Sequence, residues 1–299
     1  MSITYRPATS DDLIPATKIV QQAFSDLRRR HAVPLPTGIS APLFQTFCLA
    51  ENPEGLWVAE HNAVVVGFSL SWMCGTFWYL AQLFVRPDLQ ASGVGQELMS
   101  RSAGLAVRHG ATNRALITLS YNMKSTGLYL RNGLFPREPL FRLATPAAAI
   151  QAHLPGSDYE ALAMAPMSQR EDWINRLDED VLGFHREAHH CFLQGSGSLA
   201  LRIVHAGRPV GYAYVSSTGH VGPLAIAPGA DTGQVVMAAI SAALAGKTEQ
   251  ITMNVPGKAE RVMKVLLDLG FRLEEPMVLM SAEPFGKWQH YLPRDPGYL

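Results

Sequence analysis

The chain has 299 residues, enough for about two domains of ordinary size. Hydrophobic residues make up 47% of it and charged residues 17%, which excludes intrinsic disorder because disordered chains combine high charge with few apolar side chains. Basic and acidic residues both number 25, and this balance argues against nucleic acid as the main partner. Residues 1–150 have 13 basic and 9 acidic side chains (+4), whereas residues 151–299 have 12 and 16 (−4). The first half is therefore the better host for a polyanionic ligand.

The cysteines and the apolar segments predict a soluble, cytoplasmic protein. Cys48, Cys74 and Cys191 lie far apart, without the spacing of a metal or redox motif, which is typical of reduced thiols. The N-terminus has no apolar run after a basic start, and glycines and serines interrupt the apolar window 64–83. We therefore expect neither a signal peptide nor a membrane span.

The first half is predicted to alternate strands and helices. A strand at 3–6 ends at Pro7, and the next segment has apolar side chains at helical spacing from Leu13 to Phe24. Pro and Gly in 33–42 predict a loop or a broken helix. The remaining predicted elements are strands at 57–60, 64–72, 78–85 and 115–119, and helices at 96–109 and 122–131.

The second half repeats this order. A linker at 146–168, rich in Ala and Pro, is predicted to separate a domain at 1–145 from a second at 169–299. The second domain begins with a predicted helix at 173–190, with a possible break at Gly183. Its further elements are strands at 199–205, 210–215, 221–227 and 250–255, and helices at 235–244 and 259–269. Two copies of one α/β unit are the simplest account of this pattern.

The segment Gln90-Ala-Ser-Gly-Val-Gly95 is the sharpest local motif, because it lies between a predicted strand and a predicted helix. The first N–H groups of a helix have no intrahelical acceptor, and the helix dipole places positive charge there. Glycines allow positive φ and close approach of a phosphate. Taken alone, the motif is weak evidence, since many strand-to-helix turns contain glycine for packing.

Further motifs follow the glycine loop. Asn122 comes after a strand, Tyr129 lies seven residues later, and Gly133 and Phe135 follow. Together with the loop, this pattern resembles the GNAT superfamily of acyl-CoA-dependent N-acyltransferases over residues 3–142, with a diverged second copy extending to about residue 282. The resemblance implies an α/β (α+β) protein of two tandem units, each a mixed, mostly antiparallel sheet flanked by helices.

The resemblance also implies a site for acetyl-CoA and no metal. It places the loop at the pyrophosphate, with Gln96 opening the helix, the preceding strand at the pantetheine arm, and Tyr129 as the acid that protonates the leaving thiolate. The implied coenzyme-binding residues are Leu83, Phe84, Val85, Gln90, Ala91, Ser92, Gly93, Val94, Gly95, Gln96 and Asn122. A tyrosine, with a pKa of about 10, can share a proton with a thiolate whose pKa is about 8.5. The structural alternative is that Tyr129 only packs its helix on the sheet. Gln90 stands where arginine is commoner in the family.

The expected function is transfer of an acetyl group from acetyl-CoA to a primary amine of a small molecule, by direct transfer in a ternary complex. No carboxylate stands out as the general base; Glu51, Glu54, Glu60 and Asp88 are candidates by position only. The alternatives are a non-catalytic acyl-CoA-binding or regulatory module, and a protein or peptide N-acetyltransferase. A homodimer is compatible with the sequence.

The second copy is expected to be structural. Its loop, 228–235, has lost the paired glycines, and Asp231 would place negative charge where a phosphate should lie. Leu266 stands where the family would need the acid.

Three other groups are assigned ordinary roles. His185, His189 and His190 have partial zinc-ligand spacing, but we expect surface or interface histidines. The basic run 28–31 is able to line an anionic acceptor site, but a solvated helix face is favoured. The aromatic tail 288–298 is expected to be a strap that holds the two copies together.

Overall fold

The computed structural model describes residues 2–33, 41–151, 153–165 and 172–299. The chain forms two compact units, named here unit 1 (Met1–Phe135 with Met280–Glu283) and unit 2 (Pro136–Leu279 with Pro284–Leu299). The units divide after Phe135, whereas the sequence predicted a division after residue 145. The reason is that residues 140–146 form an antiparallel ladder with residues 250–256, which also belong to unit 2. Most of the loop predicted at 33–42 lies outside the described residues.

The described part of unit 1 contains five strands that lie side by side in one sheet. The strands are β1 (Thr4–Pro7), β2 (Leu56–His61), β3 (Val64–Cys74), β4 (Phe77–Val85) and β5 (Asn113–Leu119). The first four are antiparallel neighbours in chain order, and β5 runs parallel to β4. The helices are α1 (Leu13–Arg30), α2 (Leu43–Glu51), α3 (Val94–Arg108) and α4 (Met123–Arg131). Residues 280–283 complete unit 1, and Ala282 donates its backbone N–H to the carbonyl of Arg114 in β5 at 2.9 Å.

Helix α3 packs closely against β3, and this contact positions the glycine loop. Val94 and Leu98 belong to a core cluster with buried residues of β2, β3 and β4. A Cβ on Gly67 would lie 2.9 Å from Leu98 Cδ1 and 3.2 Å from Val94 Cγ1, so the missing side chain allows the helix to approach. Burial of one leucine side chain contributes about 1.5–3 kcal/mol, which holds the start of α3 against the sheet.

Unit 2 contains two groups of strands. Its strands are β6 (Phe135–Pro146), β7 (Glu160–Ala163), β8 (Leu199–His205), β9 (Arg208–Val215), β10 (Val221–Ile226), β11 (Gln250–Pro256), β12 (Arg272–Ser281) and β13 (Tyr291–Leu292). Its helices are α5 (Ala147–Gln151), α6 (Asp172–Leu182), α7 (Glu187–Gly195), α8 (Thr232–Ala245) and α9 (Glu260–Asp268). One sheet has the order β13-β10-β9-β8-β7, while β12, β6 and β11 lie side by side. Helix α5 and strand β7 lie inside the predicted linker, and β7, which was not predicted, pairs with β8.

The predicted surface role of the histidines is wrong for two of the three. His189 and His190 lie on α7 and are buried, whereas His185 precedes that helix and is exposed. His190 Nε2 lies 3.0 Å from the carboxylate of Asp178, which also accepts a bond of 2.9 Å from Arg186 Nε. Tyr212 donates to the same carboxylate, so the buried charges in the core of unit 2 are paired.

Candidate functional site

The glycine loop turns into α3 through two residues with left-handed backbone. Ala91 has φ +66° and Gly93, the N-cap of α3, has φ +92°. The N–H of Glu97 donates to the Gly93 carbonyl at 3.1 Å, so the helix begins at Val94. Gln96 is therefore the third residue of α3 and does not open it as predicted. The N–H groups of the first helical turn have no intrahelical acceptor, and the dipole makes this end electropositive.

The shape of the loop fits a phosphate ester. Ala91, Ser92 and Gly93 are exposed, and a side chain added at Gly93 would meet nothing within 4 Å. A Cβ on Gly95 would lie 3.7 Å from Val85 Cγ2 and 3.9 Å from Leu128 Cδ2, so glycine keeps the space between β4 and α4 clear. The donors, the exposure and the missing side chains meet the requirements of an anion-binding helix start.

Gln90 connects the loop to two other segments. Its Nε2 donates to the carbonyl of Val85 at 3.3 Å, and its Oε1 accepts a bond of 3.4 Å from Arg30 Nη2 at the end of α1. Arg30 is exposed, as expected for a solvated helix face, and it also contacts the glycine loop through this bond. The next residue, His31, packs its ring on Tyr121 with 4.9 Å between ring centroids. The end of α1 thus reaches both the loop and the segment after β5.

Strand β4 has a β-bulge in the part that the sequence assigned to the pantetheine arm. The ladder with β3 shifts between the pairs Leu70–Gln82 and Ser71–Leu80, which leaves Ala81 as the extra residue. The parallel ladder with β5 comprises three pairs and ends at Tyr79, within the part of the chain that the structure describes. Beyond Tyr79, one edge of β4 has no partner in β5 and can hydrogen-bond an extended ligand.

The three predicted residues of β4 differ in exposure. Leu83 and Phe84 are half-buried, whereas Val85 is buried in the core cluster that supports α3. The side chain of Val85 is therefore structural, and only its backbone is available to a ligand.

Tyr129 and Asn122 are linked through Ser125 on α4. Asn122 is the N-cap of this helix, and its Oδ1 accepts a bond of 3.4 Å from the Ser125 N–H. Tyr129 is buried, and this burial raises the pKa of its phenol to about 12, while a hydrogen bond with the Ser125 side chain lowers it in part. The phenol is thus protonated at neutral pH, as an acid must be. The sequence analysis did not identify Ser125, although it lies between two predicted site residues.

Three of the four carboxylates considered as the base are held in ion pairs. The pairs are Glu54 with Arg108 (3.0 Å), Glu60 with Arg6 (2.6 Å) and Asp88 with Arg86 (2.7 Å). The fourth, Glu51, is exposed at the end of α2. The hydrogen bond from Arg86 lowers the pKa of Asp88, which disfavours this carboxylate as the base.

An amide pair lies next to the bulge instead. Gln45, which is buried on α2, donates its Nε2 to Oε1 of Gln82 at 3.3 Å. Helix α2 was not predicted from the sequence, and neither was a role for Gln45. Phe44, Phe47 and Cys48 are spaced i, i+3 and i+4, the apolar pattern that predicts a helix.

In unit 2, a side chain of the chain itself occupies the N–H groups at the start of α8, the helix that corresponds to α3. The carboxylate of Asp231 accepts from the N–H groups of Gly233 (3.0 Å) and Gln234 (3.2 Å) and pairs with Arg261. Burial opposes its ionisation, but the Gln234 N–H and the Arg261 guanidinium lower the pKa of Asp231 overall. The N-terminal donors of α8 are therefore occupied, in agreement with the negative charge predicted there.

The aromatic tail also lies in unit 2. Strand β13 pairs antiparallel with β10, and the Ile226 N–H donates to the His290 carbonyl at 2.8 Å. The side chain of Asn254 in β11 donates to the carbonyl of Arg294. The tail thus covers an edge of β10, the counterpart of the β4 edge in unit 1. These contacts are internal to unit 2 and differ from the predicted strap between copies.

Among residues 2–33, 41–151, 153–165 and 172–299, no group of three or more His, Cys, Asp or Glu side chains is placed to hold a metal ion. None of the described helices has the length and apolarity needed to cross a membrane.

Residues 20–134 match the sequence model of the acetyltransferase (GNAT) family. The whole chain has the fold of a putative acetyltransferase from Pyrococcus horikoshii, with TM-score 0.79 and 16% identity over 99% of this chain and 96% of that one. The family match covers residues of unit 1 only, and the structural similarity shows that the chain as a whole has a two-unit fold of the GNAT type. A tandem GNAT protein from the clavulanic acid biosynthesis pathway also shares this GNAT fold, with TM-score 0.64 and 14% identity over 95% and 99% of the two chains.

A curated relative matches part of this chain. The thialysine N-epsilon-acetyltransferase of Mus musculus is 27% identical over 75 residues, which are 23% of this chain and 44% of that protein. The match spans less than half of that enzyme.

Proposed function

We propose that this GNAT protein transfers an acetyl group from acetyl-CoA to a primary amine of a small molecule, in a ternary complex, with a single coenzyme site in unit 1. The observation that carries the proposal is the loop at the start of α3, where Gly93 has φ +92° and the first-turn N–H groups face an exposed surface. Unit 2 offers no equivalent, because Asp231 occupies those donors in its own loop.

The residues of unit 1 have separate roles in this proposal. Loop residues 90–95 bind the pyrophosphate through backbone N–H groups, and the edge of β4 around Leu83 and Phe84 binds the pantetheine arm. The bound coenzyme supplies an activated thioester. Tyr129 donates a hydrogen bond to the departing sulfur, since its phenol remains protonated up to a pH of about 12.

The acceptor is proposed to enter with its amine neutral. The amides of Gln45 and Gln82 offer hydrogen bonds beside the bulge but no charge, so they cannot remove a proton from an ammonium group. The low content of charged residues, 17%, supports a small acceptor over a protein substrate. The expected rate therefore rises with pH until the amine of the acceptor is deprotonated.

The test combines calorimetry with an assay for free thiol. Coenzyme A titrated into the full chain is expected to bind at one site per chain, and acetyl-CoA is expected to release thiol with members of a panel of amines, amino acids, polyamines and aminoglycosides. Binding without thiol release across the panel would support a non-catalytic acyl-CoA-binding module. Release only with peptides would support an N-acetyltransferase of proteins. Absence of binding would refute the proposal.

A further inference from the structure

We propose that Arg30, at the end of α1, is a coenzyme-binding residue that supplies the positive charge missing from the first position of the phosphate loop. The inference rests on the proposed acetyl-CoA site of unit 1. In this proposal, Arg30 binds the pyrophosphate of the coenzyme.

The position of Arg30 is defined by two contacts. Its Nη2 donates to Gln90 Oε1 at 3.4 Å, at the first position of the loop, and lies 2.9 Å from Asp26 Oδ2, one helical turn earlier. The ion pair with Asp26 restricts the guanidinium to the side of α1 that faces the loop. The side chain is partly exposed (38%), so an anion from solvent can reach it.

The chemistry of the loop explains why a cation is needed there. The first-turn N–H groups of α3 carry only partial positive charge, and the first loop position holds Gln90, a neutral amide. A diphosphate has two negative charges, and a guanidinium binds phosphate oxygens through a planar set of donors. Arg30 reaches the amide of Gln90 from another element, so its guanidinium, which is also paired with Asp26, brings a charged hydrogen-bond donor to this position. The apolar pattern of α1 does not predict this role for Arg30, because Arg30 and Gln90 are 60 residues apart and meet only in the folded unit.

The chain offers a matched control. Arg29 is the neighbouring residue on α1 and is exposed, and the side chain lies about 100° around the helix from Arg30. Arg29→Gln and Arg30→Gln change the net charge and the helix propensity equally. The two variants therefore separate a local contact from a general loss of positive charge.

The experiment measures dissociation constants by calorimetry for coenzyme A and for dephospho-coenzyme A, which retains the pyrophosphate but lacks the 3′-phosphate. Arg30→Gln is expected to weaken both ligands by the same factor, about tenfold, and to reduce the dependence of binding on salt. Arg29→Gln is expected to change binding less than about twofold. The double variant Arg30→Gln with Gln90→Arg is expected to recover affinity, because the charge then stands on the loop itself.

The outcomes separate the inference from the proposed function. If the wild-type chain binds coenzyme A and Arg30→Gln binds equally well, the role of Arg30 is refuted while the coenzyme site stands. Weakening of coenzyme A alone, with dephospho-coenzyme A unchanged, would assign Arg30 to the 3′-phosphate and overturn the pyrophosphate assignment. Equal weakening by Arg29→Gln, or no recovery in the double variant, would also overturn it. If the wild-type chain does not bind coenzyme A, both proposals fail. Melting temperatures of all variants, followed by circular dichroism, identify any that are misfolded.

Discussion

The substitution Tyr129→Phe removes one hydroxyl group from the centre of the proposed site. A complete proton transfer from Tyr129, with its pKa of about 12, to a thiolate with a pKa of about 8.5 is unfavourable by about 5 kcal/mol. The phenol therefore acts mainly as a hydrogen-bond donor to the developing thiolate. A hydrogen bond to a charged group contributes about 1.5–3 kcal/mol, so the expected loss in kcat is about 10- to 100-fold.

The substitution is expected to leave the affinity for acetyl-CoA nearly unchanged, because the bond forms as the sulfur becomes negative. Steady-state kinetics at saturating amine measure kcat and KM separately. The pH–rate profile of the wild type is expected to show no break assignable to Tyr129 between pH 6 and about 10, since its pKa lies higher. An unchanged kcat with a good acceptor would refute this reasoning and leave Tyr129 as a packing residue.

Ser125 provides a second test of the same chemistry. Its hydrogen bond lowers the pKa of Tyr129, so Ser125→Ala is expected to raise that pKa and to reduce kcat several-fold. In the Tyr129→Phe background the same change is expected to have no further effect. Additive losses in the double variant would show that Ser125 acts independently of the phenol.

Four further outcomes are expected. Gly93→Asp is expected to abolish coenzyme A binding by calorimetry, because it forces a side chain with negative charge into a backbone with φ +92° at the phosphate loop. Gly55→Ala is expected to destabilise unit 1 by at least about 2 kcal/mol in denaturant unfolding, since a Cβ would lie 2.1 Å from the Ser71 carbonyl oxygen. Asp178→Asn is expected to destabilise unit 2 by about 3–5 kcal/mol, because it leaves the buried guanidinium of Arg186 without this counter-charge. A chain ending at Thr145 is expected to be poorly soluble or to lose acceptor activity, because it lacks the 280–283 segment that completes unit 1.

Each of these four predictions can be checked by a control variant, a contradicting result or a pH dependence. Gly75→Ala, also at positive φ but far from the loop in sequence, controls for backbone strain in the Gly93 variant; equal loss of binding in both would contradict the role of the loop. Unaltered stability of Gly55→Ala would contradict the steric argument. Burial opposes ionisation of Asp178, but Arg186 and His190 hold its pKa below the ordinary value. The contribution of ionised Asp178 to the free energy of unfolding is therefore present above about pH 4 and is lost as the pH falls further. The stability of Asp178→Asn should lack this part of the pH dependence in an acid titration. Full activity of residues 1–145 alone would contradict the last expectation.

Much of the fold is local in origin and could be predicted. Short stretches of sequence predict three of its features. These are the helical spacing of apolar residues in α1, the turn between β2 and β3, and the end of α4 at an Asn-Gly pair. The helix α2 was missed because its pattern is short and follows a stretch rich in Pro and Gly. The strands β6 and β12 were missed because both contain proline, at residues 136, 139 and 276, and proline within a run argues against a strand.

The sequence by itself determined the tandem order of elements and the position of the glycine loop, because glycine spacing and helix starts are local properties of the chain. Only the tertiary structure decided which side chains meet there. Residues 30 and 90, and residues 45 and 82, are distant in sequence and are brought together by packing on one sheet. The division after Phe135 is likewise non-local, because a strand belongs to the unit that holds its ladder partner, and the partner of β6 comes more than one hundred residues later.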